Sequence, residues 1–309
     1  VKIVILRALK VGDFLTAIPA FRAIRRAFPS SRIVLAAPRA FGGLLDLLDG
    51  AIDAVSDAHE LEPLRGDACG ADVGIDLHGC GPESQRLLLA SGARRLIAFR
   101  TEGVPQSFDG PRFDASEHEV RRWCRLLSHF GIPADPTELD LRPPDLRVPK
   151  RVRGATLIHP GAASESRRWP VDRWIDVARA ERRLGRHVIL TGGPSEVERA
   201  RRIATAAAIP STDVYAGRTS LRKLAAIVAA AGRVVCGDTG IAHFATAFRR
   251  PSVLLFGPTP PATWGPPQRP IHRVLWDGAT GDPHADRVDP GLAAIPADRV
   301  IAALATLPT

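Results

Sequence analysis

Cysteine is scarce and scattered: Cys69, Cys80, Cys124 and Cys236 are the four among 309 residues, and no two form a CxxC pair. That argues against a zinc site and a disulfide framework, and it fits a reduced, cytoplasmic setting. Long apolar runs are missing as well. No uncharged apolar stretch approaches the roughly 18 residues of a spanning helix. The N-terminal run Ile3-Val4-Ile5-Leu6 stops at Arg7, too early for a signal-peptide core. Lysine is limited to Lys2, Lys10, Lys150 and Lys223, so the net charge of +9 is carried by arginine. Such a bias reflects GC-rich codons as readily as function, and it is compatible with an anionic substrate, an anionic membrane face or nucleic acid. The arginines are spread over many segments with no clustered aromatic platform, which argues against nucleic acid as a partner.

What is present reads as globular: 45% apolar and 24% charged residues, close to ordinary usage. The length predicts about two domains, large enough to bury about three-quarters of the unfolded surface. Short β-branched runs alternate with amphipathic segments. Strands are expected at 2–6, 33–37, 73–77 and 96–99, and helices over 14–28, 40–48, 83–90 and 117–130. In the first of these helices Phe14, Ile18, Phe21, Ile24 and Phe28 share one face, and Pro19 is expected to kink it or loosen its first turns. The pattern stops at 133–149, where Pro133, Pro136, Pro143, Pro144 and Pro149 read as an interdomain linker. A second series follows, with strands at 155–159, 187–191, 233–237 and 252–256 and helices at 171–184, 195–208, 220–231, 240–248 and 297–307.

Strands separated by helices imply parallel sheets with right-handed crossovers. The expected fold is therefore α/β, with two Rossmann-like domains whose parallel sheets face a central cleft. The domains span 1–140 and 153–309 with a linker at 141–152, and the last helix is free to pack back on the first domain. Ligands in such sheets sit beyond the carboxyl ends of the strands, which singles out the loops after Leu6, Leu77, His159, Thr191, Gly237 and Phe256.

Four of these loops carry chemistry. In Lys10-Val11-Gly12-Asp13 the aspartate is either an N-cap or a carboxylate base at the cleft floor. After His159-Pro160-Gly161-Ala162, Arg167 and Arg168 precede a helix start, where the macrodipole disfavours cations. They are either solvated or paired about an anion. Thr191-Gly192-Gly193-Pro194-Ser195-Glu196 is a glycine turn without P-loop or GxGxxG spacing; Ser195 can cap the next helix, and Glu196 or Glu198 can meet a ribose hydroxyl. In Gly237-Asp238-Thr239-Gly240-Ile241-Ala242-His243 an apolar strand runs straight into a helix start. Exposed N–H groups and the Thr239 hydroxyl at that start suit a diphosphate, and His243 lies one helical turn on.

Taken together the chain resembles glycosyltransferase family 9, the ADP-heptose:lipopolysaccharide heptosyltransferases and their relatives. The matching pieces are Gly12-Asp13 with Leu15, Pro19, Ala20, Arg25 and Pro29; His159-Pro160-Gly161; Arg167-Arg168-Trp169-Pro170; the 237–243 string; and Phe256-Gly257-Pro258-Thr259. The resemblance implies a GT-B fold and metal-independent sugar transfer with inversion from a nucleotide donor held mainly by the C-terminal domain. It makes Asp13 the general base. Gly12, His159, Gly161, Arg167, Gly193, Glu196, Asp238, Thr239, Gly240 and His243 become donor-site candidates, and Lys10 the acceptor-side candidate. Arg167 stands where the family usually has lysine, which keeps the charge but offers a fork that binds phosphate through two parallel bonds. Ala162 and Ala163 replace polar residues that some heptosyltransferases carry.

Metal-dependent transferases often use a DxD pair, and the sequence has none, so no metal ligands and no cofactor are expected. The nucleotide sugar, an ADP-sugar by the family default, is substrate. The acceptor is a saccharide, a glycolipid or a small molecule. Arg22, Arg25 and Arg26 form either a solvated helix face or a contact with the anionic inner face of the cell membrane. A nucleotide-sugar epimerase or hydrolase, or a non-catalytic nucleotide-sugar-binding protein, would use the same fold.

Overall fold

The computed structural model describes residues 1–278 and 280–308. Its chain divides into two units, Val1–Leu141 and Arg142–Thr309. Five parallel strands make the first sheet: β1 (Lys2–Leu6), β2 (Arg32–Ala37), β3 (Ala54–Asp57), β4 (Val73–Asp76) and β5 (Arg95–Ile97), in the order β3-β2-β1-β4-β5. Central β1 is covered on both faces and is accordingly an unbroken apolar run, with Ile3 to Leu6 fully buried. The chain adds strands on one side of β1 and then crosses to the other, so the switch point lies between β1 and β4. There Leu6 stands beside Asp76.

Helices α1 (Val11–Thr16), α2 (Ile18–Ala27), α3 (Glu83–Ala90) and α4 (Glu119–His129) complete this unit. The single helix expected over 14–28 is two. Ala17 closes α1 with a bond to Phe14, and Pro19, which has no N–H to give, falls in the first turn of α2. The apolar stripe survives the break: the Phe14 ring lies 5.6 Å from Phe21 and 4.9 Å from Phe41. The helix expected near 40–48 is a 3-10 helix, Arg39–Leu48, consistent with the poor α-propensity of Gly42-Gly43 at its middle.

Arg22 and Arg25 are largely engaged within their own unit, while Arg26 stays exposed. Arg22 donates to the carbonyls of Glu138 and Asp140, each at 2.8 Å, and Arg25 pairs with Asp53 at 2.7 Å. Arg26 meets Glu138 at 2.8 Å.

The second unit repeats the scheme with β6 (Thr156–His159), β7 (Val188–Leu190), β8 (Arg233–Gly237), β9 (Ser252–Leu255) and β10 (His272–Leu275), all parallel, ordered β10-β9-β8-β6-β7. Its switch point lies between β6 and β8, where His159 stands beside Cys236. The helices are α5 (Val171–Arg183), α6 (Val197–Ala206), α7 (Leu221–Ala230), α8 (Gly240–Ala247), α9 (Pro261–Trp264), α10 (Pro290–Ala294) and α11 (Ala297–Ala305). Trp169 and Trp174 meet edge to face at 4.8 Å in a core that also takes in Val300, Leu304 and Leu307. The closing helix, expected to be free to reach the first domain, is thus held by its own unit, because its apolar side packs on α5 and β9. Most of the expected linker also belongs here: Val148 and Val152 are buried, and Arg151 reaches Asp213 at 2.6 Å.

Candidate active site

In the second unit the loops leaving β6, β7 and β8 converge on the switch point. His159 Nδ1 is 3.1 Å from Thr191 Oγ1, and its Nε2 is 3.8 Å from Glu196 Oε2. Glu196 also accepts the Gly193 N–H at 2.6 Å, which fixes the turn. Burial pulls His159 below its ordinary value while Glu196 pulls it up, and burial prevails. The ring is neutral at neutral pH. Gly161 lies under the Glu196 carboxylate, and a Cβ there would collide with it. Thus His159, Gly161, Gly193 and Glu196, taken from two loops of the sequence, form one cluster.

A second cluster surrounds the start of α8. Thr239 is its N-cap residue in extended geometry, but its side chain does not cap the helix. The Thr239 hydroxyl is buried with no hydrogen-bond partner among the described residues. The Cys236 thiol, kept protonated by burial, offers it only a weak sulfur contact. The leading N–H groups of a helix have no partner within it, so hydroxyl and N–H groups gather at one end. The residue before Thr239 ties Arg167 to this loop: Arg167 Nη1 lies 3.5 Å from both Asp238 Oδ2 and the Asp238 carbonyl, with Nε 3.3 Å from Ser164 Oγ.

Arg168 does not join Arg167. It turns back to Ala162 O at 3.0 Å and Glu165 at 2.8 Å, so the expected clasp of two cations reduces to one. One turn into α8, His243 meets the ring of Trp264 at 5.9 Å. Trp264 had drawn no expectation from the sequence; its proximity arises from the Pro-rich turn of α9 after β9. Among the described residues no three His, Cys, Asp or Glu side chains gather as a metal-binding group.

In the first unit Asp13 lies in α1, but not at the N-cap. That position is Lys10; Asp13 is three residues on, and its Oδ2 accepts the Lys10 N–H at 3.2 Å. Gly12 sits in the same first turn, so this donor-site candidate belongs to the first unit beside Asp13. Burial pushes the Asp13 carboxyl up; Arg7 pulls it down and Glu119 pushes it up, leaving it above its ordinary value. Arg7 and Glu119 were not anticipated, nor were Asp76 and His78 at the end of β4. Burial raises Asp76 to about 6 against bonds from Ser84 and from the His78 and Gly79 N–H groups. Burial, helped by Arg7, lowers His78 to about 4. The available signal was a charged residue closing an apolar strand, which occurs in Lys2–Leu6 followed by Arg7 and in Val73–Asp76.

The sequence profile of glycosyltransferase family 9 (heptosyltransferase) matches residues 91–288. The chain belongs to glycosyltransferase family 9. The match takes in His159 to His243 and begins after Asp13. Among curated relatives, lipopolysaccharide heptosyltransferase 1 of Salmonella typhimurium is 33% identical over 112 residues, covering 36% of this chain and 34% of the relative. The aligned stretch therefore spans about a third of that relative's length. The likeness in fold is much wider. The Escherichia coli ADP-heptose lipopolysaccharide heptosyltransferase II structure has a TM-score of 0.76 at 21% identity, with 99% of this chain and 98% of that one covered. The E. coli heptosyltransferase WaaC with ADP has a TM-score of 0.74 at 20% identity, with 99% of both chains covered. Two parallel α/β units of this family 9 member thus follow the GT-B class.

Proposed function

We propose that this family 9 member transfers a sugar, heptose in the first instance, from a nucleoside diphosphate donor to a hydroxyl of a saccharide or glycolipid acceptor. The observation that carries this reading is the start of α8, where the Thr239 hydroxyl, met among the described residues only by the Cys236 thiol, and the leading helix N–H groups adjoin Asp238, which the Arg167 guanidinium reaches at 3.5 Å. Donors and a cation around one point suit a diphosphate, whose charge grows as the sugar leaves. ADP is the favoured nucleotide because the related WaaC structures hold ADP and ADP-2-deoxy-2-fluoro heptose. Glu196, fixed by Gly193, is placed to accept a ribose hydroxyl.

The chemistry is a single displacement. Asp13 takes the proton of the acceptor hydroxyl as its oxygen bonds to the anomeric carbon, and the bond to the diphosphate breaks on the opposite face, inverting the centre. The carboxyl suits the task because burial raises it, making it a better proton acceptor than a solvated aspartate. Arg167 and the α8 N–H groups supply the positive charge that a metal supplies elsewhere, and the nucleotide sugar is a substrate, so no cofactor enters. Lys10 flanks the acceptor. We place the reaction on the cytoplasmic side, at the inner face of the membrane. No helix among the described residues is long and apolar enough to cross it.

A thermal-shift series with ADP, UDP, GDP and CDP tests the donor site. At a hundredfold excess over its Kd, a native-state ligand adds about 2.7 kcal/mol, or roughly 4–8 °C in Tm, the lower figure if the whole chain unfolds together and the higher if one unit does. ADP is expected to give the largest rise. A screen in which no nucleoside diphosphate raises Tm rejects the proposal. Gly161→Ala should leave Tm nearly unchanged, because the group its methyl meets is the tip of a side chain. It should weaken ADP about tenfold by displacing Glu196, the cost of one charged hydrogen bond. Unchanged calorimetric affinity would remove Glu196 from the donor site.

A further inference from the structure

The environment of Asp13 is set by one buried cation. Arg7, fully buried after β1, donates from Nε to the Asp13 main-chain oxygen at 2.6 Å and from Nη1 to the Leu77 carbonyl. Its Nη2 reaches Thr16 Oγ1 at 3.1 Å and Glu119 Oε1 at 2.9 Å, while the Asp13 carboxylate stands off at 3.8 Å. Two carboxylates therefore compete for one guanidinium, and Glu119 holds it. Glu119 is locked in turn by Trp123 Nε1 at 2.8 Å and by Arg122. The Arg7 guanidinium also lies 4.9 Å over the Trp123 ring, so α4 fixes the cation from two directions.

We propose that Glu119 is a positioning residue for Asp13: by engaging Arg7 it keeps that cation from closing on the Asp13 carboxylate, which stays available to take a proton from a sugar hydroxyl. The inference rests on Asp13 being the base. Removing the carboxylate of a buried ion pair leaves the cation uncompensated, and the Asp13 carboxylate already stands 3.8 Å from this one. The groups around it are few. From α1 comes the Lys10 N–H, from β1 Arg7, and from α4 Glu119 with Arg122 behind it. At the end of β4, Asp76 and His78 interact with Arg7, and the His78 ring accepts the Ala8 N–H at 3.2 Å. Burial raises Glu119, but Arg7, Arg122 and Trp123 together hold it below its ordinary value, so it stays charged. Its charge raises Asp13, and removing it must lower Asp13.

The test follows the Asp13 carboxyl directly, by carbon NMR of the full chain carrying labelled aspartate, with Asp13→Asn assigning the signal. Glu119→Gln is expected to lower the Asp13 titration midpoint by about one pH unit. The acid limb of transfer from ADP-heptose should move down with it, and kcat at neutral pH should fall about tenfold with donor KM unchanged. Glu119→Asp keeps the charge but draws it back by one methylene. It should move the midpoint the same way by less, and it leaves Arg7 paired should the glutamine variant fail to fold. A midpoint that stays or rises in these variants, with lost activity tracking a lower Tm, overturns the proposal and leaves Glu119 a structural tie. A midpoint that falls while Asp13→Asn transfers at the wild-type rate upholds the coupling of Glu119 to Asp13 through Arg7 and overturns the base assignment instead.

Discussion

Asp13→Asn is expected to lower kcat for sugar transfer by about 10²–10⁴-fold, the usual contribution of a positioned general base, with the ADP affinity unchanged. Asparagine is the sharper replacement because its carbonyl oxygen can still accept the Lys10 N–H that Asp13 accepts at 3.2 Å, so the first turn of α1 persists. The main-chain bond from Arg7 to residue 13 is also untouched, since it uses the backbone oxygen. What disappears is the acid–base function alone. Single-turnover transfer separates chemistry from product release, and calorimetry with ADP gives the affinity. Transfer within about threefold of wild type would remove Asp13 from the chemistry; loss of ADP binding together with transfer would mean a folding defect.

Arg167→Ala should cost about 10- to 100-fold in turnover, the range set by roughly 1.5–3 kcal/mol for each charged hydrogen bond to the leaving diphosphate. Tm should hardly move. Arg167 is partly exposed and its bonds to Ser164 and Asp238 are long, 3.3 and 3.5 Å, so the folded state gains little from them. Arg167→Lys should recover part of the loss, because it restores the charge without the planar fork. Arg168→Ala, in contrast, should leave turnover near wild type, since Arg168 is turned to Glu165 and Ala162. Steady-state rates with and without EDTA accompany the series. Full activity in Arg167→Ala, or activity abolished by EDTA and restored by Mg²⁺, would assign the phosphate charge to another partner.

The centres of both sheets were legible in the sequence because their strands are covered on both faces and appear as continuous apolar runs. β3 and β10 were not. Each is a four-residue strand at a sheet edge with partly exposed positions, Ala54–Asp57 and His272–Leu275, and has too little hydrophobic pattern to separate it from a loop. The loop cluster of the second unit was legible because its glycines, prolines and helix starts are local signals. The pairing of Arg167 with Asp238 was not, since the two are 71 residues apart and one short charged segment offers no clue to which arginine turns which way.

The sequence by itself determined the α/β alternation, the four loops at strand ends and the family. These depend on periodicity, turn residues and short ordered strings, all properties of neighbouring residues. Only the tertiary structure decided the state of Asp13. Its charge balance is set through space by Arg7 and by Glu119, which meets Arg7 across 112 residues of chain, and by burial that no local pattern encodes. Tertiary packing likewise decided that the Thr239 hydroxyl is buried with only the weak Cys236 thiol beside it among the described residues, because satisfaction of a polar group is a property of everything folded around it.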